Sequence, residues 1–199
     1  MEKKLRYRND INRCALGYQE TKRINQLFLD GIPMDQIQVR VFEENILQQS
    51  SSDMQHRVWR EISFRLANLD DEGKKLIQEE DSQSSKAIIF YSVLKVDKLF
   101  LEFCRAVYLD KLLTFHEEIT KKEVVRFIET QVEKDEKASK WSTSTVLKLA
   151  GTYLRTLMEV GAMNQSHQIN RLILSSKTET YLRERGYRPA AEVVLGGLL

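Results

Sequence analysis

Proline and glycine are scarce. Two prolines and eight glycines in 199 residues leave few breakers for the turns of a sandwich or barrel, so helices are expected. Cysteine is scarcer than a disulfide-built secreted domain requires. Cys14 and Cys104 lie far apart in helical-looking surroundings, which predicts two buried thiols in a reducing cytoplasm, with a single disulfide as the alternative. Long hydrophobic runs are missing. The most apolar stretch, 87–94, contains Ser92 and falls far short of the ~20 residues that cross a bilayer. The basic start from Met1 to Arg8 leads into no apolar segment of the kind a secretory signal needs. A soluble, cytoplasmic protein is expected.

Catalytic and metal-binding signatures are missing as well. His56, His116 and His167 are scattered, and neither CxxC nor HExxH occurs. No GxGxxG or Walker lysine loop is present, and no GxSxG elbow. The carboxylates sit in surface-like charge patterns, and nothing selects a general acid/base pair among them. The expectation is a non-enzymatic protein with no cofactor, no metal and no catalytic residue.

Hydrophobic residues make up 42% and charged residues 30%, enough for a sizeable core and too many apolar groups for wholesale disorder. The net charge is only +2, but it is unevenly spread. Residues 1–23 carry seven Lys/Arg against three Asp/Glu, residues 24–136 fifteen against twenty-two, and residues 137–188 nine against three. An acidic middle flanked by basic segments points to a polyanion, usually nucleic acid; the bland reading is a solvated surface.

Hydrophobic periodicity divides the chain. Residues 1–17 read as a basic arm, in which Lys3, Lys4, Arg6, Arg8 and Arg13 alternate with apolar or aromatic residues. Residues 18–115 read as a bundle of helices, with Gly31 as a stop, Pro33 opening the next helix, and Ser52 or Asp53 capping another. The segment from Ala87 to Leu94 is apolar almost all round, the pattern of a buried helix. Residues 116–188 follow as a separate part, and residues 189–199 as a frayed or surface-packed tail.

The part 116–188 carries the main candidate for function. Thr120 with Glu123 has the form of a capping box. The helix it starts runs to about Glu133, a charged connection follows, and Ser142 or Thr143 caps a helix that Gly161 ends. Ile169 to Leu174 alternates with period two, a short strand candidate. Helix, connection, helix, strand is the order of a winged helix-turn-helix, whose second helix enters the major groove. Overall, the class is mainly α: an N-terminal helical bundle, then a winged-helix-like part with one short strand or hairpin.

On a helical wheel, Val146, Leu149, Ala150, Tyr153, Leu154, Leu157 and Met158 form the core side. Ser144, Lys148, Thr152 and Arg155 fall on the opposite side. Lys140 and the hydroxyls of Ser142, Thr143 and Ser144 gather at the helix start, where phosphate oxygens are favoured; Lys148 and Arg155 suit phosphates or guanine edges. Arg171 and Lys177 would flank this surface, and Lys3, Lys4, Arg6 and Arg8 of the arm would follow a phosphate backbone. Trp141 reads as an anchor for the helix start rather than a base stacker.

The run Lys140-Trp141-Ser142-Thr143-Ser144-Thr145 with Lys148-Leu149, followed by Leu157 to Met163, is similar to the C-terminal motif of the BrxA family. So are Leu29-Asp30-Gly31-Ile32, Val41 to Leu47, Ala67 to Asp70, and Tyr181 to Gly186. Members are small components of BREX (bacteriophage exclusion) defence systems, and the resemblance covers about residues 18–186. It implies a compact, mostly helical protein, NusB-like in its helical part, that binds double-stranded DNA. It also implies partners: a DNA methyltransferase, an alkaline-phosphatase-like protein, an ATPase and a Lon-like protein. Members have been described as inner-membrane proteins, but no segment of this sequence can span a bilayer. The resemblance brings no catalytic residues. The alternative function is a protein–protein adaptor of the same assembly without nucleic-acid binding; RNA binding, suggested by the NusB likeness, is a third reading.

Overall fold

The structure is a computed structural model that describes residues 7–116 and 118–198. It is mainly helical. A 3-10 turn, Asp10–Arg13, precedes α1 (Tyr18–Leu29), α2 (Met34–Phe42), α3 (Ser52–Leu66), α4 (Asp71–Glu79) and α5 (Ser82–Val96). Then come α6 (Lys98–Phe103), a π-helical segment (Cys104–Leu109) that continues it, and α7 (Asp110–Leu113). The series closes with α8 (Lys121–Val132), α9 (Thr143–Val160), α10 (Ser176–Arg185) and α11 (Arg188–Val194).

Local chemistry explains where the helices begin. Ser51 accepts from Met54 N–H, one residue before the expected cap. Asp70, Asp81 and Asp97 accept from the first turns of α4, α5 and α6, each satisfying N–H groups the helix cannot. The capping box forms at α8: Thr120 Oγ1 accepts from Glu123 N–H, and Glu123 Oε2 from Thr120 N–H at 2.8 Å. Gly17 precedes α1 at φ 64°, and a Cβ there would lie 2.3 Å from Cys14 Sγ, so both backbone and space require glycine.

α5 is the central rod. Residues 87–94 are all buried, and the helix packs against α4, α11, α9, α3 and α6. An aromatic cluster ties the C-terminal helices to it: Tyr153 of α9 has ring centroids 4.5 Å from Phe100 and 5.2 Å from Phe103. Phe100 meets Phe90 of α5 at 5.9 Å, and Phe103 meets Phe127 of α8 at 5.7 Å. Cys14 and Cys104 are buried free thiols.

Three expectations are corrected here. The first concerns the arm. Ile11, Cys14, Ala15 and Leu16 are buried, and the 3-10 turn lies between α3 and α9, so this stretch of the arm is core. The second concerns the end. Arg188–Val194 is a helix whose Ala190, Ala191, Val193 and Val194 are buried against α5 and α10, so 189–195 is core rather than a frayed or surface-packed tail. The third concerns the strand. Among the described residues, 169–174 forms none. The chain is extended, with isolated bridges Met163–Ile169 and Glu118–Gln168 around the turn that Asn164 closes. The alternation is real, since Leu172 is buried and Ile173 is 84% exposed, but no neighbouring strand completes a ladder.

Candidate nucleic-acid interface

Ser142 caps α9: its Oγ accepts from Thr145 N–H at 3.2 Å and lies 2.9 Å from the hydroxyls of both Ser144 and Thr145. Gly161, at φ 83°, ends the helix, as its left-handed backbone favours. Between these ends three neighbours cover α9. α8 packs along one side, α5 lies beneath, and the 3-10 turn Asp10–Arg13 lies along another side. What stays open is one narrow stripe made of Ser144, Leu147, Lys148, Arg155 and Glu159, with the half-buried Gly151 at its middle. These residues recur three or four positions apart, as one helical face demands. Lys140, Ser142 and Thr143 are exposed at the N-terminal end of the stripe. Trp141 is half-buried against the core, in the anchoring role expected of it.

The charges on the stripe differ in how they are held. Lys148 has no ion-pair partner among the described residues, and neither does Lys140. Arg155 is 55% exposed, with Nε 3.9 Å from Glu159 Oε1, a long and screened contact. The other oxygen of Glu159 accepts from Leu16 N–H at 3.0 Å. The partial positive charge of the α9 N-terminus adds to Lys140 and Lys148 at one end of the stripe.

Thr152 does not belong to this surface. It is 3% exposed, and its hydroxyl donates to Asn12 Oδ1 at 2.8 Å. The wheel placed it outward because threonine is polar, but the 3-10 turn covers that side. Arg8 is also taken up internally: it pairs with Glu61 at 2.8 Å and Asp10 at 3.1 Å, and its guanidinium lies over the Phe64 ring. Lys177 lies against α4, not α9. It is 2.8 Å from Glu79, and their hydrogen bond holds the Glu79 carboxyl below and the Lys177 ammonium above their ordinary values. Arg171 is exposed, with its guanidinium beside Gly196 and near the Leu112 side chain at the end of α7. Lys3, Lys4 and Arg6 lie outside the described residues. The structure therefore gathers Lys140, Ser142, Thr143, Ser144, Lys148 and Arg155, and does not bring Arg171 or Lys177 to them.

The wheel missed Leu147 and Gly151. Both lie on the row i, i+4, i+8 that ends at Arg155, and that spacing was the signal available. Among the described residues no group of His, Cys, Asp and Glu is placed to hold a metal ion. No helix among them is long and apolar enough to cross a membrane.

The BrxA family model matches residues 5–186, most of the chain and all of α9. The chain belongs to the BrxA family. As a BrxA member it is a component of a BREX phage-defence system. It is 29% identical to a BREX protein BrxA of Bacillus cereus (strain H3081.97), covering 98% of this chain and all of that one. A BREX protein BrxA of Paramagnetospirillum magneticum (strain ATCC 700264 / AMB-1) is 27% identical over 90% of this chain and 91% of its own. The BrxA helical arrangement also recurs in the crystal structure of an uncharacterized protein from Magnetospirillum magneticum. That match has a TM-score of 0.84 and 25% identity, covering 96% of this chain and 99% of the other.

Proposed function

We propose that this BrxA family member is a non-enzymatic, double-stranded-DNA-binding component of its BREX system, gripping the duplex mainly by its phosphates. The observation that carries this reading is the open stripe of α9. Lys148 sits on it without a counter-ion among the described residues, with Arg155 two turns on and the hydroxyls of Ser142, Thr143 and Ser144 at the positive helix end. A surface of this kind suits phosphate oxygens and carries little sequence preference. Lys140 and the arm residues Lys3, Lys4 and Arg6 add to the attraction. The chain works in the cytoplasm in this reading, beside a methyltransferase, a phosphatase-like protein, an ATPase and a Lon-like protein.

Titration of duplex binding against salt tests the proposal. Contacts from Lys140, Lys148 and Arg155 alone predict that log K falls against log salt with a slope of about −3, and contacts from the arm would steepen it. In the double variant Lys148→Glu/Arg155→Glu, checked for folding by circular dichroism, affinity falls at low salt and the slope shrinks by about 2. Wild-type binding that is absent at low salt, or indifferent to salt, rules the reading out. The alternative is an adaptor that contacts only protein. The exposed apolar side chains of Leu113, the last residue of α7, and Phe115 just after it, the latter 92% exposed, favour it. It predicts co-purification with other BREX proteins and no DNA binding.

A further inference from the structure

Gly151 sits in the middle of an 18-residue helix, where glycine weakens the helix relative to alanine. Packing does not explain it. A Cβ built on Gly151 would meet nothing within 4 Å, whereas one on Gly73 or Gly186 would collide with Tyr181 or with the backbone of Leu182. Strain does not explain it either: Gly151 lies inside the regular helix and is not among the glycines with positive φ. The missing side chain therefore serves nothing within the described structure. It does leave a notch in the exposed stripe. One turn before it stand Leu147, 45% exposed, and Lys148, which has no ion-pair partner among the described residues; one turn after it stands Arg155.

We infer that Gly151 is the point of closest approach for one sugar–phosphate strand of the bound duplex, an assignment that rests on the proposed DNA-binding function. With 1.5 Å of rise per residue, Lys148 and Arg155 stand about 10 Å apart along α9, astride the notch. A strand crossing there brings phosphates within reach of both cations while its backbone passes over Gly151. Leu147 lines the near edge with apolar surface that suits the deoxyribose. A packed partner helix is a poorer occupant. Close helix crossings need small residues a turn apart, and the positions four residues either side are Leu147 and Arg155. The cations flanking the notch also complement a polyanion.

The test compares Gly151→Ala and Gly151→Leu with wild type, using full-length protein and a fluorescent 20-base-pair duplex at low salt, with melting temperature measured in parallel. Alanine has free room and a better helix propensity, so Gly151→Ala is expected to raise the melting temperature by about 2–4 °C. It is expected to weaken duplex binding by roughly threefold, and Gly151→Leu by about tenfold or more, as the strand is pushed off the helix axis. Higher stability with weaker binding is the signature, because a structural role would move both in the same direction. Equal affinity in all three proteins overturns the assignment while leaving the phosphate reading intact. If wild type itself does not bind the duplex, the proposed function falls, and this assignment falls with it.

Discussion

Glu61 and Arg65 form a buried ion pair at which the N-terminal segment is fastened, with Asp97 buried nearby. Arg65 is fully buried; its Nη1 donates to Ala15 O at 2.9 Å, Nη2 to Cys14 O at 2.6 Å, and Nε to Glu61 at 2.9 Å. Arg8 donates to the other oxygen of Glu61 at 2.8 Å. Asp97 sits near this pair with no ion-pair partner among the described residues, accepting from Phe100 N–H at 3.0 Å. Burial pushes its carboxyl up to about 7, reinforced by Glu61; the Phe100 hydrogen bond, Arg8 and Arg65 only partly oppose this. An unfolded Asp loses its proton near pH 4, whereas folded Asp97 keeps it to about 7. The native state thus holds the extra proton between those values, and stability falls as pH rises from about 4 to about 7. Glu123 acts at the acid end. Burial alone would raise its carboxyl, but hydrogen bonds from Lys111 and Thr120 outweigh that and hold it down to about 2, so its contribution disappears as pH falls below about 4.5. Urea denaturation at pH 5 and pH 8 isolates Asp97. Wild type is expected to have the lower midpoint at pH 8. Asp97→Asn, which still caps α6, should lose most of that difference. Equal pH dependence in the two proteins would refute the assignment.

At the scale of elements, what is local is legible from the sequence and what is distant is not. Ser142 and Gly161 bound α9 as the residue pattern predicts, because a cap hydroxyl and a left-handed glycine act within one turn. The capping box at Thr120 and Glu123 is legible for the same reason. The buried side of α9 is also legible from its apolar residues. Its polar side is not. Thr152 turns inward because Asn12, 140 positions earlier, covers it, and nothing within residues 143–160 encodes that neighbour. Likewise the alternation of 169–174 marks an extended chain, but a strand needs a partner and the sequence names none. The same division separates the hydroxyls at the start of α9. Ser142 binds a backbone N–H, while among the described residues the exposed Ser144 hydroxyl hydrogen-bonds only the Ser142 hydroxyl. Ser142→Ala is expected to cost about 1 kcal/mol in urea denaturation. Ser144→Ala should leave stability within about 0.5 kcal/mol, the usual range for a surface change, while weakening duplex binding. A destabilised Ser144→Ala, or one that binds as wild type does, would remove Ser144 from the phosphate surface.

The whole molecule is closed from both ends. One continuous set of buried apolar side chains runs from Ile11 to Leu195, so the N-terminal segment and α11 both belong to the body rather than to appendages. Composition hid this at the C-terminus. Ala190 to Leu195 looks like a small apolar tail, and its helical face has no meaning until α5 is in place beneath it. Tyr91 of α5 then fixes the junction, accepting from Tyr187 N–H at 2.6 Å and meeting the Tyr181 ring edge-on at 6.2 Å. α11 also reaches the π-helical segment through the Arg105–Glu192 pair at 3.3 Å. Removing residues 189–199 would uncover the most apolar helix of the chain. Val193, Val194 and Leu195 are buried, and each side chain of that size contributes about 1.5–3 kcal/mol. Their sum is comparable to the roughly 5–15 kcal/mol by which an ordinary domain is stable. The truncated chain is therefore expected to lose its cooperative thermal transition and to aggregate, whatever its affinity for DNA. Circular dichroism melting and gel filtration check this. A truncated protein that melts cooperatively within a few degrees of wild type would make α11 a surface attachment, with the core complete at α10.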